Sequence, residues 1–465
     1  MQSLQNAMEN GRNEQMSDQL VEQLAANLDS DALRKGRAVV LGLDGVPYSM
    51  LRDLISRGVM PQMARLVDAG TLQRMESTLP CVSSVAWTSF RTGVNPGQHG
   101  ITGFTDRRPG TYKTHFPTTK SILPSTIDEY ADFTGLKVVM TGMPVNYPPV
   151  NLKNGISVGC FLSPSIEKAV CAPELLDELK QMNYRLDVNA SLAADPLLFL
   201  DDIFYVTERY REAMFRFWGQ QSWDLMMIHF MSTDRLHHFM WDQYEDPAGP
   251  YHQDFLKLYR RLDEIIGEVA SRLGKDTLLM MLSDHGFCGV KREVNLNVWL
   301  QQEGLLRFQT STPKSLEEID GRSQAYSLIP GRFYINLRGR EPRGSVEPGA
   351  EYEAVRDDLM VRLLALRNPD NGELVIDRVE KRETLYGEDC SSVAPDLVAL
   401  ARYGYDLKDQ ISGRELFKAG MLKGMHTYDD AFLFVNRCVT IPEGIKIYEA
   451  SHIVGEHCRC RGPRH

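Results

Sequence analysis

Nowhere in the chain is there an apolar run of about 18 residues, the length a bilayer-spanning helix needs. Residues 1–20, MQSLQNAMENGRNEQMSDQL, also lack the apolar stretch of a secretory signal, so a cytoplasmic protein is the expectation. Positive charge is not in excess either. The 52 Lys and Arg against 62 Asp and Glu leave a net charge of -10, which argues against a general nucleic-acid binder. An anionic substrate would then have to be drawn in by a metal rather than by a basic surface. Cysteine is sparse: the 8 residues at 81, 160, 171, 288, 390, 438, 458 and 460 are scattered and form no small disulfide framework, so reduced thiols are expected. His457-Cys458-Arg459-Cys460 resembles a ligand cluster but lacks the second half of a zinc module, and residues 451–465 read as a mobile tail. Internal repeats and low-complexity tracts are absent.

What is present is an ordinary globular composition in a chain of 465 residues, long enough for one large domain with insertions or for two. Residues 1–35 place Leu20, Val21, Leu24, Leu28 and Leu33 at approximate helical spacing, predicting an amphipathic helical leader. From residue 36 the pattern changes. Ala38–Leu43 is a continuous apolar run of the kind buried parallel strands show, and similar runs recur at Lys137–Met140, Asp224–His229, Thr277–Leu282, Asp396–Ala401 and Ala431–Val435. Helical stretches such as Ser49–Arg57, Pro61–Ala69 and His252–Leu273 lie between them. This alternation predicts an α/β fold over residues 36–450, with a mainly parallel central sheet flanked by helices on both faces. Two insertions interrupt it as candidate caps: 161–222, helical in pattern, and 303–350, rich in Gly, Pro and charge and expected to be largely loop.

Ligands of open α/β sheets bind beyond the carboxyl ends of the strands, so polar residues just after an apolar run carry most weight. Asp44 follows VVLGL, Asp234 follows LMMIHFMST, and Asp284 with His285 follows TLLMMLS; His426 shortly precedes AFLFV. Any one of these is commonly a turn or cap residue. Asp234 and His238, four apart, would share one helix face and reach one ion, with His237 in a supporting place beside them. Three carboxylates and three imidazoles suit zinc, with manganese or iron as alternatives. Three aspartates plus a serine alkoxide carry four negative charges, which two divalent ions would neutralise, and such a pair about 3.5–4 Å apart serves both the attacking and the leaving oxygen. The segment LPCVSSVAWTSFRTG puts Ser83 and Ser84 where a helix begins and Gly93 where it ends. There the helix dipole favours an alkoxide, although a capping serine has the same spacing.

The blocks LDGVPYSML, LPCVSSVAWTSFRTGVNPGQHGI, STDRLHHFMW, LSDHGF, RFYINLRGREPRGSVEPGAEY, APDLVAL and GMHTYDDAFLF, in this order from Arg37 to about Tyr448, resemble the alkaline phosphatase superfamily. The resemblance is to its type I phosphodiesterase / nucleotide pyrophosphatase branch. It implies that Asp44, Asp284 and His285 hold one metal with the nucleophile, and that Asp234, His238 and His426 hold the other. It puts the nucleophile on Ser83, which would form a phosphoseryl intermediate that water then hydrolyses. Three departures stand out. Cys81-Val82-Ser83 replaces Pro-Val-Thr. Phe104 stands where nucleotide pyrophosphatases carry a phosphate-binding asparagine, which argues against a nucleotide. Asp430 occupies a place usually held by glycine. Sulfatase chemistry is disfavoured, because Ser83 and Val85 fill the positions needing Pro and Arg.

The leading expectation is therefore a metal-dependent phosphodiesterase acting on a small or extended phosphate ester. A phosphomonoesterase, with Arg107 or Arg108 neutralising the second charge, is one alternative, and a phosphotransferase or mutase using the same site is another. From a different class, a non-catalytic binding protein that kept the fold would lack turnover altogether.

Overall fold

The computed structural model describes residues 36–460 except 221 and 389. The leader expected over 1–35 lies outside the described residues. Seven strands form the central sheet: β1 (Ala38–Leu43), β2 (Thr71–Met75), β3 (Val138–Thr141), β4 (Ile156–Val158), β5 (Leu225–Phe230), β6 (Leu278–Leu282) and β7 (Ala431–Val435), in the order β2-β7-β6-β1-β5-β3-β4. Within it β1 pairs in parallel with β5 and β6, as β3 does with β4 and β5, while β7 runs antiparallel to both β6 and β2. The expected α/β fold with a mainly parallel sheet is thus present. It is central β1 that shows why: every residue is buried, as an apolar run covered on both faces requires.

Side chains of β1 alternate between two cores. Val39, Leu41 and Leu43 join a cluster with α2 (Pro196–Gln220), α3 (Ser232–Glu245) and α4 (His252–Arg272). Ala38 and Val40 join one with α1 (Ser83–Thr92) and α5 (Ile447–Cys458) on the opposite face. The consequence for function is geometric. Strands β1, β5 and β6 run side by side in one direction, so the segments after them, loops carrying Asp44 and Asp284 and the first turn of α3 carrying Asp234, emerge at one edge.

Two expectations need correction. The run at Asp396–Ala401 is a strand, Leu397–Ala401, but it belongs to a second, antiparallel sheet ordered Ala325–Leu328, Arg332–Ile335, Leu397–Ala401, Ile376–Lys381. An apolar run reports burial and cannot say which sheet buries it. The stretch 303–350 is mainly turns and loops, and it also supplies two of these strands and much of a separate core including Tyr326, Phe333 and Tyr334. Over residues 451–460 the tail is not loose: α5 extends to Cys458, and Cys458 and Cys460 are buried against one face of the sheet, where a thiol packs as a small apolar group.

Asp430, whose role the sequence left open, is a structural anchor. It accepts hydrogen bonds from the backbone N–H (3.2 Å) and the hydroxyl of Ser49, at the start of helix Tyr48–Ser56, and lies 3.4 Å from Arg74. It thereby satisfies an N-terminal helix donor and pins that helix to the start of β7. Asp430→Ala should destabilise the fold by about 1–2 kcal/mol in denaturant titrations; a change within experimental error would remove this role.

Candidate active site

The carboxylate of Asp44 is fully buried after β1, and one of its oxygens is occupied by donors. Its Oδ2 accepts from Trp87 Nε1 at 3.0 Å and from His229 Nε2 at 2.6 Å. Trp87 reaches it because Gly42 is bare: a Cβ there would lie 2.6 Å from the indole. Oδ1 is left facing Ser83 Oγ at 3.3 Å and His285 Nε2 at 3.6 Å. Ser83 is the first residue of α1. The cap position belongs to Val82, and no side chain caps the helix, so Ser83 is not spent as a cap. Its Oγ also lies 3.4 Å from His285 Nε2, and Gly93, in the left-handed conformation, closes the helix as the sequence suggested.

Asp284 is buried opposite. Its Oδ1 accepts from Gly45 N–H at 3.0 Å, whereas Oδ2 makes no hydrogen bond. His285 Nε2 does lie 3.2 Å from that oxygen, but proximity without a directed proton is not a bond. Burial pushes the Asp284 carboxyl well above the ordinary range, and the Asp44 carboxylate pushes it further. Burial also acts to raise Asp44, but the His229 hydrogen bond and the neighbouring imidazoles outweigh it and leave that group low.

The remaining ligand candidates meet a few ångströms away. Asp234 and His238, one turn apart on α3, approach to 3.3 Å, and His426 Nε2 lies 3.2 Å from Asp234 Oδ1 and 3.0 Å from His238 Nε2. His426 arrives through an antiparallel pairing of Gly424–Thr427 with Gly286–Gly289, which puts it opposite Phe287 and stacks its ring on His285 at 3.5 Å between centroids. The seven sequence-predicted residues therefore come together as two groups, with His285 between them; Asp44, Asp284 and His285 form one cation-sized cluster, and Asp234, His285 and His426 another.

Tautomers show what the groups want. His238 Nδ1 faces the Gly424 carbonyl (3.0 Å), His426 Nδ1 that of Cys81 (3.0 Å) and His285 Nδ1 that of Gly286 (3.1 Å). A carbonyl only accepts, so each Nδ1 donates, and each neutral ring turns a bare Nε2 lone pair toward the carboxylates. Without metal a few protons can be recruited: against burial, the Asp234 carboxylate lifts His238 above its ordinary range. One proton cannot satisfy three converging acceptors. A divalent cation can, so the donor set fits a metal in each group.

Reasoning from the sequence missed His229 and Trp87, which orient Asp44, and Arg235. The signal for His229 was a lone histidine inside the buried run LMMIHF. Arg235 places Nη1 3.0 Å from Asp234 Oδ2 and grips Asp187, from the 161–222 insertion, at 2.7 Å. Arg235→Ala should weaken metal retention or lower kcat/KM by about 10–100-fold; unchanged values in a metal titration and steady-state assay would exclude this positioning role. His237 is structural, bonded to Gly45 O and Tyr259 Oη and held neutral by burial. Arg107 is no free cation: it is buried, 3.2 Å from Glu341 and donating to Ser392 O, and Arg108 is exposed. Phe104 packs edge-on against Phe161, 6.0 Å away, beside a cleft of about 800 Å³ that His238 and His426 also line.

A mainly parallel α/β sheet with two clusters of cation-ligating side chains beside a helix-leading serine is what the chain assembles, in an alkaline phosphatase-like fold. The chain belongs to the type I phosphodiesterase / nucleotide pyrophosphatase family, which matches residues 38–429. Among solved structures it is similar to phosphonoacetate hydrolase from Sinorhizobium meliloti 1021 in complex with phosphonoacetate, at a TM-score of 0.63 and 16% identity, covering 91% of this chain and 96% of that one. It is also similar to murine ectonucleotide pyrophosphatase / phosphodiesterase 5, at a TM-score of 0.55 and 14% identity over 92% and 96% of the two chains. Likeness at that identity speaks for the fold. A 65-residue stretch, 14% of this chain, is 34% identical to the catalytic subunit of GPI ethanolamine phosphate transferase 3 of Mus musculus and 32% identical to that of Homo sapiens. The chain spans only 5% of the length of those relatives. No helix among the described residues is long and apolar enough to cross a membrane.

Proposed function

We propose that the protein is a phosphodiesterase that works through a phosphoseryl intermediate on Ser83 with two divalent cations, zinc being the ion the ligand set suits best. The observation that carries this reading is the convergence of bare acceptors: three carboxylates and three imidazole Nε2 atoms face one another beside Ser83 Oγ with too few protons to satisfy them. Asp44, Asp284 and His285 would hold one ion, and Asp234, His238 and His426 the other. Bound there, the ions would supply charge neutralisation for the nucleophile, the phosphoryl oxygens and the leaving oxygen.

The chain's own residues do the rest. Trp87 and His229 fix the Asp44 carboxylate so that Oδ1 points at Ser83. Helix α1 directs its N-terminal dipole at the attacking oxygen. Ser83 Oγ forms the bond to phosphorus while the bond to the alcohol oxygen breaks, and water then cleaves the phosphoseryl ester.

A diester is favoured over a monoester because the nearby cations are already paired: Arg235 with Asp234 and Asp187, and Arg107 with Glu341. A dianionic monoester would add a charge that nothing here is free to meet. Metal-reconstituted protein should hydrolyse bis-p-nitrophenyl phosphate at least about 10-fold faster than p-nitrophenyl phosphate, in kcat/KM, given that an unmet charge costs more than one decade. Faster monoester turnover would overturn the preference.

A further inference from the structure

The cleft beside the ligands continues the reacting centre on one particular side. Ser83 Oγ sits with the Asp44–Asp284–His285 group. In-line attack expels the alcohol oxygen directly away from the nucleophile. The ligands across from Ser83 are Asp234, His238 and His426, and two of these, His238 and His426, line the cleft. Whatever alcohol the ester carries is therefore delivered into this space.

At about 800 Å³ the cleft has room for a drug-sized group, far more than a methyl or a small head group would use. Its walls include Val82, Phe104, Ile329, Pro330, Leu400 and Met425, running from beside the nucleophile to the second sheet. The lining carries four cationic and four acidic side chains, so its formal charge sums to zero. Lys291 lies 3.7 Å from Glu373 and Lys408 2.6 Å from Asp406, Asp429 accepts the Tyr403 hydroxyl, and Arg367 donates to the Gly372 carbonyl at 2.8 Å. The last two, Arg402 and Asp377, carry opposite signs. The cleft thus asks for no particular charge and offers mainly apolar contact.

We infer that this cleft seats the leaving alcohol and that the alcohol is a neutral group with an extended apolar body, alkyl or aromatic, rather than a sugar or a charged head group. This rests on the proposed attack by Ser83. The probes are methylphosphonate monoesters, stable monoanions that imitate a diester, titrated calorimetrically into the metal-loaded protein as the methyl, butyl, octyl, 2-naphthylethyl and choline esters. Each buried methylene strengthens binding about fourfold when fully desolvated, so the octyl ester should bind at least about 30-fold more tightly than the butyl ester.

A naphthylethyl ester that outbinds octyl assigns an aromatic alcohol, and the reverse order an alkyl one; either supports the inference. Ile329→Asp, at an exposed position on the cleft, should abolish most of the chain-length gain and leave methyl ester affinity within about twofold. An affinity independent of chain length, or tightest binding by the choline ester, would overturn it. Hydrolysis of methyl p-nitrophenyl phosphate separates the two levels. Turnover together with a flat ester series refutes the cleft assignment alone, while absence of turnover and of methyl ester binding refutes the site reading beneath it.

Discussion

Ser83→Ala is expected to lower kcat for bis-p-nitrophenyl phosphate by about 10⁴-fold or more, the usual loss when a covalent nucleophile is removed. The fold should not notice. Ser83 is the first residue of α1, caps nothing, and makes polar contacts only to Asp44 and His285, so alanine removes no donor that a buried carbonyl depends on. Metal content should therefore stay at the wild-type stoichiometry while turnover disappears, and acid-quenched reactions with labelled diester should no longer trap phosphate on the chain. Ser83→Thr should recover part of the rate, because the hydroxyl returns at the same helix position. A variant that keeps more than a tenth of wild-type activity would exclude Ser83 as nucleophile and move attention to water. The neighbouring Ser84 is buried, and its hydroxyl has no partner, so a double Ser83→Ala/Ser84→Ala variant distinguishes substitution of one serine for another from direct hydrolysis.

Legibility in the sequence followed the range of the interactions. Asp44, Asp234 and Asp284 could be picked out because strand ends in a parallel sheet share an edge, and Asp234 with His238 because i and i+4 share a helix face. Both are local rules. His426 was harder, since its place depends on pairing with Gly286–Gly289, more than a hundred residues upstream. His229 and Trp87 were invisible for a related reason: a histidine inside an apolar run and a tryptophan in a short helix read as core, and only the register of β1 against β5 brings His229 to Asp44. The strand at Leu397–Ala401 went to a different sheet because burial pattern carries no address. Arg107 looked like a spare cation until Glu341, far away in sequence, turned out to be its partner. Charges were legible as residues but not as pairs, and for electrostatics the pairing decides.

Pairing also decides the second large effect, at Asp284. Asp284→Asn keeps the acceptor for Gly45 N–H and almost the same volume, and removes a negative charge whose second oxygen, Oδ2, no protein donor meets. In the metal-free protein this should stabilise the fold by about 1–3 kcal/mol, because the wild type must bury that carboxylate near Asp44 or spend energy protonating it. The sign follows from the direction of the shift. A carboxyl held above its unfolded value stabilises the folded state below that value and loses this contribution as pH rises through the folded one. Metal-free wild type should thus lose stability from about pH 4 upward relative to the variant. With metal the order should invert. An ion present at about 1,000 times its Kd adds roughly 4 kcal/mol to the wild type, and the variant, lacking one anionic ligand, should forfeit most of it along with turnover. Denaturant titrations of both proteins, with chelator and with added zinc, give the four numbers required. Should Asp284→Asn destabilise the protein equally in both conditions, its carboxylate would be held by the protein itself, and the cluster would lose its claim to a cation.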